Sequence, residues 1–511
     1  MTTQLRIRTE YSFKEAFGPL PRVISQLKQV GASSAGMVEI GGGTWGHIQW
    51  DKACRAAGIQ PMFGAEWACT ATYDPDAEVR PLMWALARDT RALYNATTLA
   101  HSQLVRGMPS LTHEQALAAQ GLVKFAGGAL ATEELVAHPD TYIDVNPSSA
   151  LSQRRAAALA RRTGRPLVIT SDNYYPAHTD TKTFGYVGRQ QKPTPQWILN
   201  WKDPHLRMAF PGLTDEELAS AVRGAAEVAE QLQGVKLHKA PLISVSGDLR
   251  SLCEAGREAR AIAGWGPTYV ERLDRELALI HEKQFESYFL VVADMVRWAK
   301  QRMLVGPARG SAAGSLVCYL LGITEVDPIP YGLIFERFVD VTRADLPDID
   351  LDFPDAQRDL VYEYLAERYG RENVARIGTI GSYKPKSALV QVCKRLGIPP
   401  FETFAVKNAM FVRSSGDSRA NNCLIDTLNE TAPGREFLEK YPAAAAAGDL
   451  EGHAAGTGVH AAGVCVCNEP VSNFCTVASG VMQVDKYDAE ALNLLKKARP
   501  HLEAAGEGPP A

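Results

Sequence analysis

"LPDIDLDFPD", residues 346–355, sets Asp348, Asp350 and Asp352 in alternation with Ile349, Leu351 and Phe353, and Asp355 follows closely. In an extended chain successive side chains point to opposite faces. The three apolar residues then turn toward a core, and the three carboxylates line the other face roughly 7 Å apart. Asp is a poor strand former and neighbouring like charges repel. A divalent cation relieves that crowding, since Mg2+ takes oxygen ligands and keeps positions for substrate phosphates. The same spacing also serves a solvated acidic edge strand, an alternative that stays open on this stretch alone. An EF-hand loop is excluded, because D-x-D-x-D needs Gly next and Phe353 stands there, followed by Pro354.

Upstream lies "LVGPARGSAAGSLVCYLLGI", residues 304–323, a short apolar entry, a Gly/Ser-rich turn and an apolar helix expected from about Ser315. Backbone N–H groups at such a helix start attract an anion. Gly306, Gly310 and Gly314 allow close backbone approach, and Arg309 and Ser311 add donors. The P-loop pattern, with Gly-Lys-Ser/Thr after a four-residue gap, is absent. Small residues also serve close helix packing. Next to the acidic stretch, however, the turn reads as a phosphate cradle beside a divalent-metal strand, the arrangement of two-metal nucleotidyl transfer. Arg337 in "FERF" and Arg343 in "VTRADLPD" are candidate contacts to a triphosphate or a nucleic-acid backbone, with surface ion pairs as the alternative. Lys384, Lys386 and His460 extend that list, whereas His453 reads as structural or exposed.

The length of 511 residues predicts about two to four domains. Hydrophobic content of 46% and charged content of 22% are ordinary for a globular protein. No apolar run approaches the roughly 20 residues that span a bilayer, and "MTTQLRIRTEYSF" lacks the apolar core of a signal peptide, so no membrane association is expected. Nine Cys without a regular framework point to a reducing compartment; Cys465, Cys467 and Cys475 lack zinc spacing and are expected as small core residues. A net charge of −4 means that nucleic-acid binding must come from local basic patches.

Residues 1–240 alternate short apolar runs with Ala-rich stretches, an α/β pattern: "LRIRTEYSF", "SSAGMVEI" and "RPLVITSDNYY" predict strands, and "LSQRRAAALARRTG" a helix ending at Gly. From about 241 to 396 long amphipathic helices flank the two motifs, with Leu273, Leu277 and Ile280 at helical spacing. Residues 397–455 predict a smaller helical insertion, "GVHAAGVCVCNEPV" returns to a strand pattern within 456–497, and 498–511 read as a disordered tail.

Taken together, "VGPARGSAAGSLVCYLLGITEVDPIPYGLIFERFVDVTRADLPDIDLDF" resembles the palm of the C family of replicative polymerases, the alpha subunits of bacterial DNA polymerase III. "ESYFLVVADMVRWAK", "RIGTIGSYKPKSAL", "GVHAAGVCV" and "MQVDKYDAEALNLLKK" resemble the same family in the same order. More weakly, "LRIRTEYSF", "GIQPMFGAEW" and "LVITSDNYY" resemble its N-terminal polymerase-and-histidinol-phosphatase domain. The resemblance implies a PHP-type α/β barrel followed by a nucleotidyltransferase-type palm, α/β and α+β in class, with a helical thumb at 397–455. It implies Asp348 and Asp350 as ligands of two Mg2+ ions, Asp352 as a supporting carboxylate, Gly310 and Ser311 as holders of the triphosphate, and Arg309, Arg337 and Lys496 as basic positions of the site.

Two departures qualify it. The family's metal-binding members carry two His in the first strand, where this chain has Gln4 and Arg8; Ile40, Pro81 and Tyr174 stand at other expected His positions, while Glu66 and Asp172 remain. A barrel without clustered imidazoles is expected to be a scaffold rather than a metal-dependent phosphoesterase. Second, Ala498 stands where the family's third catalytic Asp is expected; Asp485 and Asp488 match acidic positions that are not catalytic. The leading expectation is therefore a DNA-directed DNA polymerase subunit of the bacterial or phage-infected cytoplasm. It would act on primer–template DNA and deoxynucleoside triphosphates with a second polypeptide that carries the fingers and third Asp, and through it reach a sliding clamp and a proofreading subunit. A non-catalytic DNA-binding or assembly subunit is the alternative.

Overall fold

The structure, a computed structural model, describes residues 2–492 other than 79–80, 128–129, 188–195, 263, 340–346, 348, 415–416, 418, 421 and 490–491. The chain divides into two compact units, one of residues 1–237 with 379–458, the other of residues 238–378 with 459–511. Residues 379–396, grouped with 241–378 on sequence, fall in the first unit.

The first unit is a mixed α/β fold built on one large sheet. Its main path runs β1 (Thr2–Ile7), β2 (Ala32–Glu39), β3 (Gln60–Thr70), β4 (Leu82–Ala87), β7 (Leu122–Gly127), β8 (Thr141–Val145) and β9 (Leu167–Ile169), and β5 (Leu104–Val105) and β6 (Met108–Thr112) branch from β3. Pairing is parallel along β1–β2–β3 and β7–β8–β9 and antiparallel on both sides of β4. The sheet curls until its ends nearly meet: Ser171 Oγ, just past β9, donates to Gln4 Oε1 of β1 at 3.0 Å. The result is a nearly closed, barrel-like sheet. β1 and β9 are buried throughout, and β3 is buried between its two end residues, as expected of strands covered on both faces. The expected strands at the N-terminus and at 165–175 are shorter than the sequence patterns. The Ala-rich helix spans Ala150–Thr163 and stops at Gly164, which takes a left-handed φ of 67°. The helical segments between Pro400 and Leu450 belong to this unit, and Val406, Leu424, Leu428, Phe437 and Leu450 share a core with Phe17, Tyr174, Tyr175 and Phe184.

The second unit is mainly helical. Helices Pro267–Glu282 and Glu286–Lys300 bury Leu273, Leu277, Ile280, Phe289, Val292 and Val296 in a core that also takes Leu316, Phe335, Ile349, Leu351 and Phe353. A four-stranded sheet follows the order β11 (Ala454–Val466), β10 (Val374–Ser382), β13 (Val481–Asp485), β12 (Val477–Ala478), with residues 379–382 of β10 and 454–458 of β11 counted in the first unit. Cys465, Cys467 and Cys475 are buried, with Cys465 and Cys467 Sγ atoms 3.5 Å apart. Among the described residues, no helix is long and apolar enough to cross a membrane.

Candidate functional site

The acidic stretch keeps the alternation expected of it but not the strand. Ile349, Leu351 and Phe353 are buried in the core while Asp350 and Asp352 are half-buried on the other side, yet residues 349–353 join no ladder among the described residues. Instead the Gly-rich turn lies against them. Gly306 N donates to Asp352 O at 3.0 Å, and Arg309 Nη1 donates to Asp352 Oδ1 at 3.1 Å. Gly310 has φ +63°, and a Cβ there would stand 2.7 Å from Asp350 Oδ2. Only glycine satisfies both that conformation and that approach.

The helix expected near Ser315 spans Leu316–Leu320 with Ser315 as its cap, but its N-terminus already holds an anion from within the chain. Glu276, 0% exposed, accepts from Ser315 Oγ at 2.8 Å, Leu316 N at 2.9 Å and Val317 N at 3.0 Å. Arg272 Nε donates to the same carboxylate at 2.6 Å, and its Nη2 donates to Gly314 O and Leu333 O at 2.6 and 2.9 Å. Burial pushes the Glu276 carboxyl above its ordinary range, against the pull of the Val317 and Leu316 amides and of Arg272. The amides of Leu316 and Val317 are thus taken, which corrects the expectation that this helix start holds phosphate. The available signal was an acid on the apolar helix face of Leu273, Leu277 and Ile280.

Of the other expected residues, Ser311 is exposed in the turn Gly310–Gly314, and Arg337 is exposed in the turn Phe335–Arg337. His460 lines an apolar cavity of about 180 Å³ with Arg358, Arg376, Tyr362 and Phe353. Lys386 is exposed in the first turn of helix Pro385–Arg395 and belongs to the first unit. Asp348, Arg343 and Lys496 lie outside the described residues.

In the first unit a second constellation occupies one end of the barrel. Arg6 Nη2 is bonded to Glu66, and its Nη1 stands 3.3 Å from Asp172 and 3.6 Å from Asp144. Arg8, 2% exposed, reaches Asp172 at 2.5 Å and Glu66 at 3.1 Å and lies over the Tyr174 ring. Burial raises the Glu66 carboxyl, but Arg6 and Arg8 outweigh it and hold the group below its usual range. Two fixed guanidinium groups thus stand among the carboxylates. Sequence reasoning named Arg8 but passed over Arg6, and it named Gln4, which donates instead to Leu199 O at 2.8 Å.

Close by, buried Glu39 accepts from Thr9 N at 3.0 Å, from Thr9 Oγ1 at 2.5 Å and from Ser12 Oγ. Burial lifts its pKa from 4.5 to about 7. The folded value is the higher one, so the stability tied to this proton is present at acid pH and lost as pH rises through about 7. On the order of 2–3 kcal/mol is at stake. Denaturant titrations at pH 5 and 8 are expected to show that loss in the parent chain and a smaller one in Glu39→Gln. Equal slopes in both would assign the dependence to other groups.

Similarity to known proteins extends along nearly the whole chain. Residues 247–497 match the family described as the bacterial DNA polymerase III alpha NTPase domain. Curated relatives called DNA polymerase III subunit alpha include one from Streptococcus pyogenes, 27% identical over 96% of this chain and 47% of its own length. A second, from Bacillus subtilis, is 28% identical over 98% and 47%. One from Halalkalibacterium halodurans is 38% identical over 46% of this chain and 21% of its own. The chain spans about half the length of the curated relatives it matches first. A solved chain described as a metal-dependent phosphoesterase from Bifidobacterium adolescentis is 14% identical at TM-score 0.26, over 42% of this chain and 96% of that one; so slight a likeness carries no argument. Residues 247–497 thus match the domain of bacterial DNA polymerase III alpha subunits, and the chain is similar to the N-terminal portion of such subunits along nearly its whole length.

Proposed function

We propose that this chain carries the palm of a replicative DNA polymerase and takes part in nucleotidyl transfer to a primer 3′-hydroxyl. The observation that carries the reading is the seating of Arg309 and Gly310 on the Asp352 and Asp350 carboxylates. In the reaction the 3′-oxygen bonds to the α-phosphorus, the bond to the β-phosphate bridging oxygen breaks, and pyrophosphate leaves. Hard carboxylate oxygens beside a Gly-rich turn suit Mg2+, which when bound supplies charge neutralisation and activation of the attacking hydroxyl. Asp348 and Asp350 are the proposed ligands. Asp352, already engaged by Arg309, takes a supporting part. Arg309, Gly310, Ser311, Arg337 and Arg343 orient the triphosphate, with Lys496 as a further basic group of the site. Lys386 and His460 contact phosphate or base, and basic side chains of 397–455 grip the duplex backbone as a thumb. The barrel serves as a scaffold of PHP type, with Arg6 and Arg8 among its carboxylates.

Ala498, at the position of the expected third Asp, favours two readings. In the first, the third carboxylate comes from outside residues 1–511, from a companion that links the chain to a clamp and a proofreading subunit in the cytoplasm. In the second, the chain binds DNA without catalysing transfer. Primer extension by this chain, alone and with candidate companion proteins from the same genome, separates them. Extension that needs the companion and Mg2+ supports the first. Duplex binding that weakens about 10³-fold or more from 50 to 200 mM salt, without extension in any combination, supports the second. Neither extension nor salt-sensitive binding would refute both.

A further inference from the structure

The turn at 306–315 is pinned at both ends. Upstream, Gly306 N is bonded to Asp352 O. Downstream, Glu276 takes Ser315 Oγ, Leu316 N and Val317 N, and Arg272 takes Gly314 O. Between the pins lie Arg309, against Asp352, and Gly310, against Asp350. Arg272 does more than close one loop. Its Nη2 also holds Leu333 O, two residues before the turn that carries Arg337. Gly314 and that second segment touch closely enough that a Cβ at 314 would stand 2.9 Å from Ile334 O. One buried ion pair on helix Pro267–Glu282 therefore ties together both segments that bear the basic groups of the site. A carboxylate taken wholly out of water is costly, and here every bond it accepts comes from that helix or from the end of the turn.

We propose that Glu276 and Arg272 form a positioning pair for the nucleotide site, setting the register of the 309–315 turn on the acidic segment and with it the affinity for a Mg2+-bound nucleoside triphosphate. This rests on the nucleotidyl-transfer reading above and adds to it the device that shapes its phosphate-facing turn. Neither residue touches the ligand. The five residues from Gly310 to Gly314 separate the downstream pin from Asp350, so release of the pin is transmitted to the carboxylate through a short, tightly turned segment.

The test is calorimetric titration of the full chain with dATP, with and without Mg2+, together with thermal melting and duplex DNA binding. Glu276→Gln keeps the shape but sets an amide N–H₂ against the donors of the turn, and is expected to weaken Mg2+-dependent dATP binding about tenfold or more. Arg272→Lys keeps the charge but loses the two-pronged reach to Gly314 O and Leu333 O; it is the milder variant should Glu276→Gln fail to fold, and a loss of about three- to tenfold is expected. Duplex DNA affinity is expected to stay within about twofold in any variant that melts cooperatively, since phosphate contacts elsewhere carry it. A purely structural role would lower melting temperature and both affinities in parallel, and that outcome overturns the proposal. Binding of Mg2+ and dATP by the parent chain at unchanged affinity in both variants overturns the pair alone. No Mg2+-dependent dATP binding by the parent chain overturns the nucleotidyl-transfer reading, and the pair with it.

Discussion

Replacing Arg8 with Met is expected to cost the barrel unit about 3–5 kcal/mol, the range for breaking a buried ion pair from one side. Arg8 is 2% exposed and joins Asp172 to Glu66. Its removal leaves Arg6 as the nearest cation for Glu66, Asp172 and Asp144, and Asp144 is already pushed above its ordinary range by burial. A methionine fills much of the volume but supplies no donor, so the price is electrostatic rather than a cavity. Chemical denaturation of the variant measures it. The double change Arg8→Met with Glu66→Leu should recover part of the loss, because removing both partners from the interior costs far less than orphaning one. A single-variant loss below about 1 kcal/mol would mean that water, rather than Arg8, compensates these carboxylates.

Asp350→Asn is expected to weaken Mg2+-dependent nucleotide binding by at least about a hundredfold while leaving the fold intact, because a hard divalent ion loses a charged oxygen ligand. The fold should survive because Ile349, Leu351 and Phe353, not the acids, hold the segment in the core. Gly310→Ala approaches the same site from the other side. Its methyl group would meet Asp350 Oδ2 at 2.7 Å in a left-handed backbone, so either the turn or the carboxylate must move. Titration with Mg2+ and dATP, with circular dichroism as the check on folding, reads both variants. Parent-like affinity in Asp350→Asn would remove this carboxylate from the site, and parent-like affinity in Gly310→Ala would remove the turn.

Local pattern was enough for much of the molecule. The period of two in residues 348–353 places Ile349, Leu351 and Phe353 inside because parity along an extended chain needs no partner. The helix ending at Gly164 and the buried face of Leu273, Leu277 and Ile280 follow equally from spacing and a left-handed cap. The Gly-rich turn and the acidic stretch were legible as a pair because both are short and chemically unusual. What each backbone group bonds to was not. Among the described residues the acidic segment joins no ladder, and its Asp352 carbonyl takes the Gly306 amide, far back in the chain. The first amides of the helix at 316–320 are taken by Glu276, some forty residues upstream. Arg6 and Arg8 acquire a role only where the curl of the sheet brings Glu66, Asp144 and Asp172 around them. Side-chain periodicity is set by neighbours in sequence, whereas compensation of a buried charge is set by whichever distant groups the fold delivers, so this sequence determined its elements and its acidic motif, and the tertiary structure alone decided which charges meet.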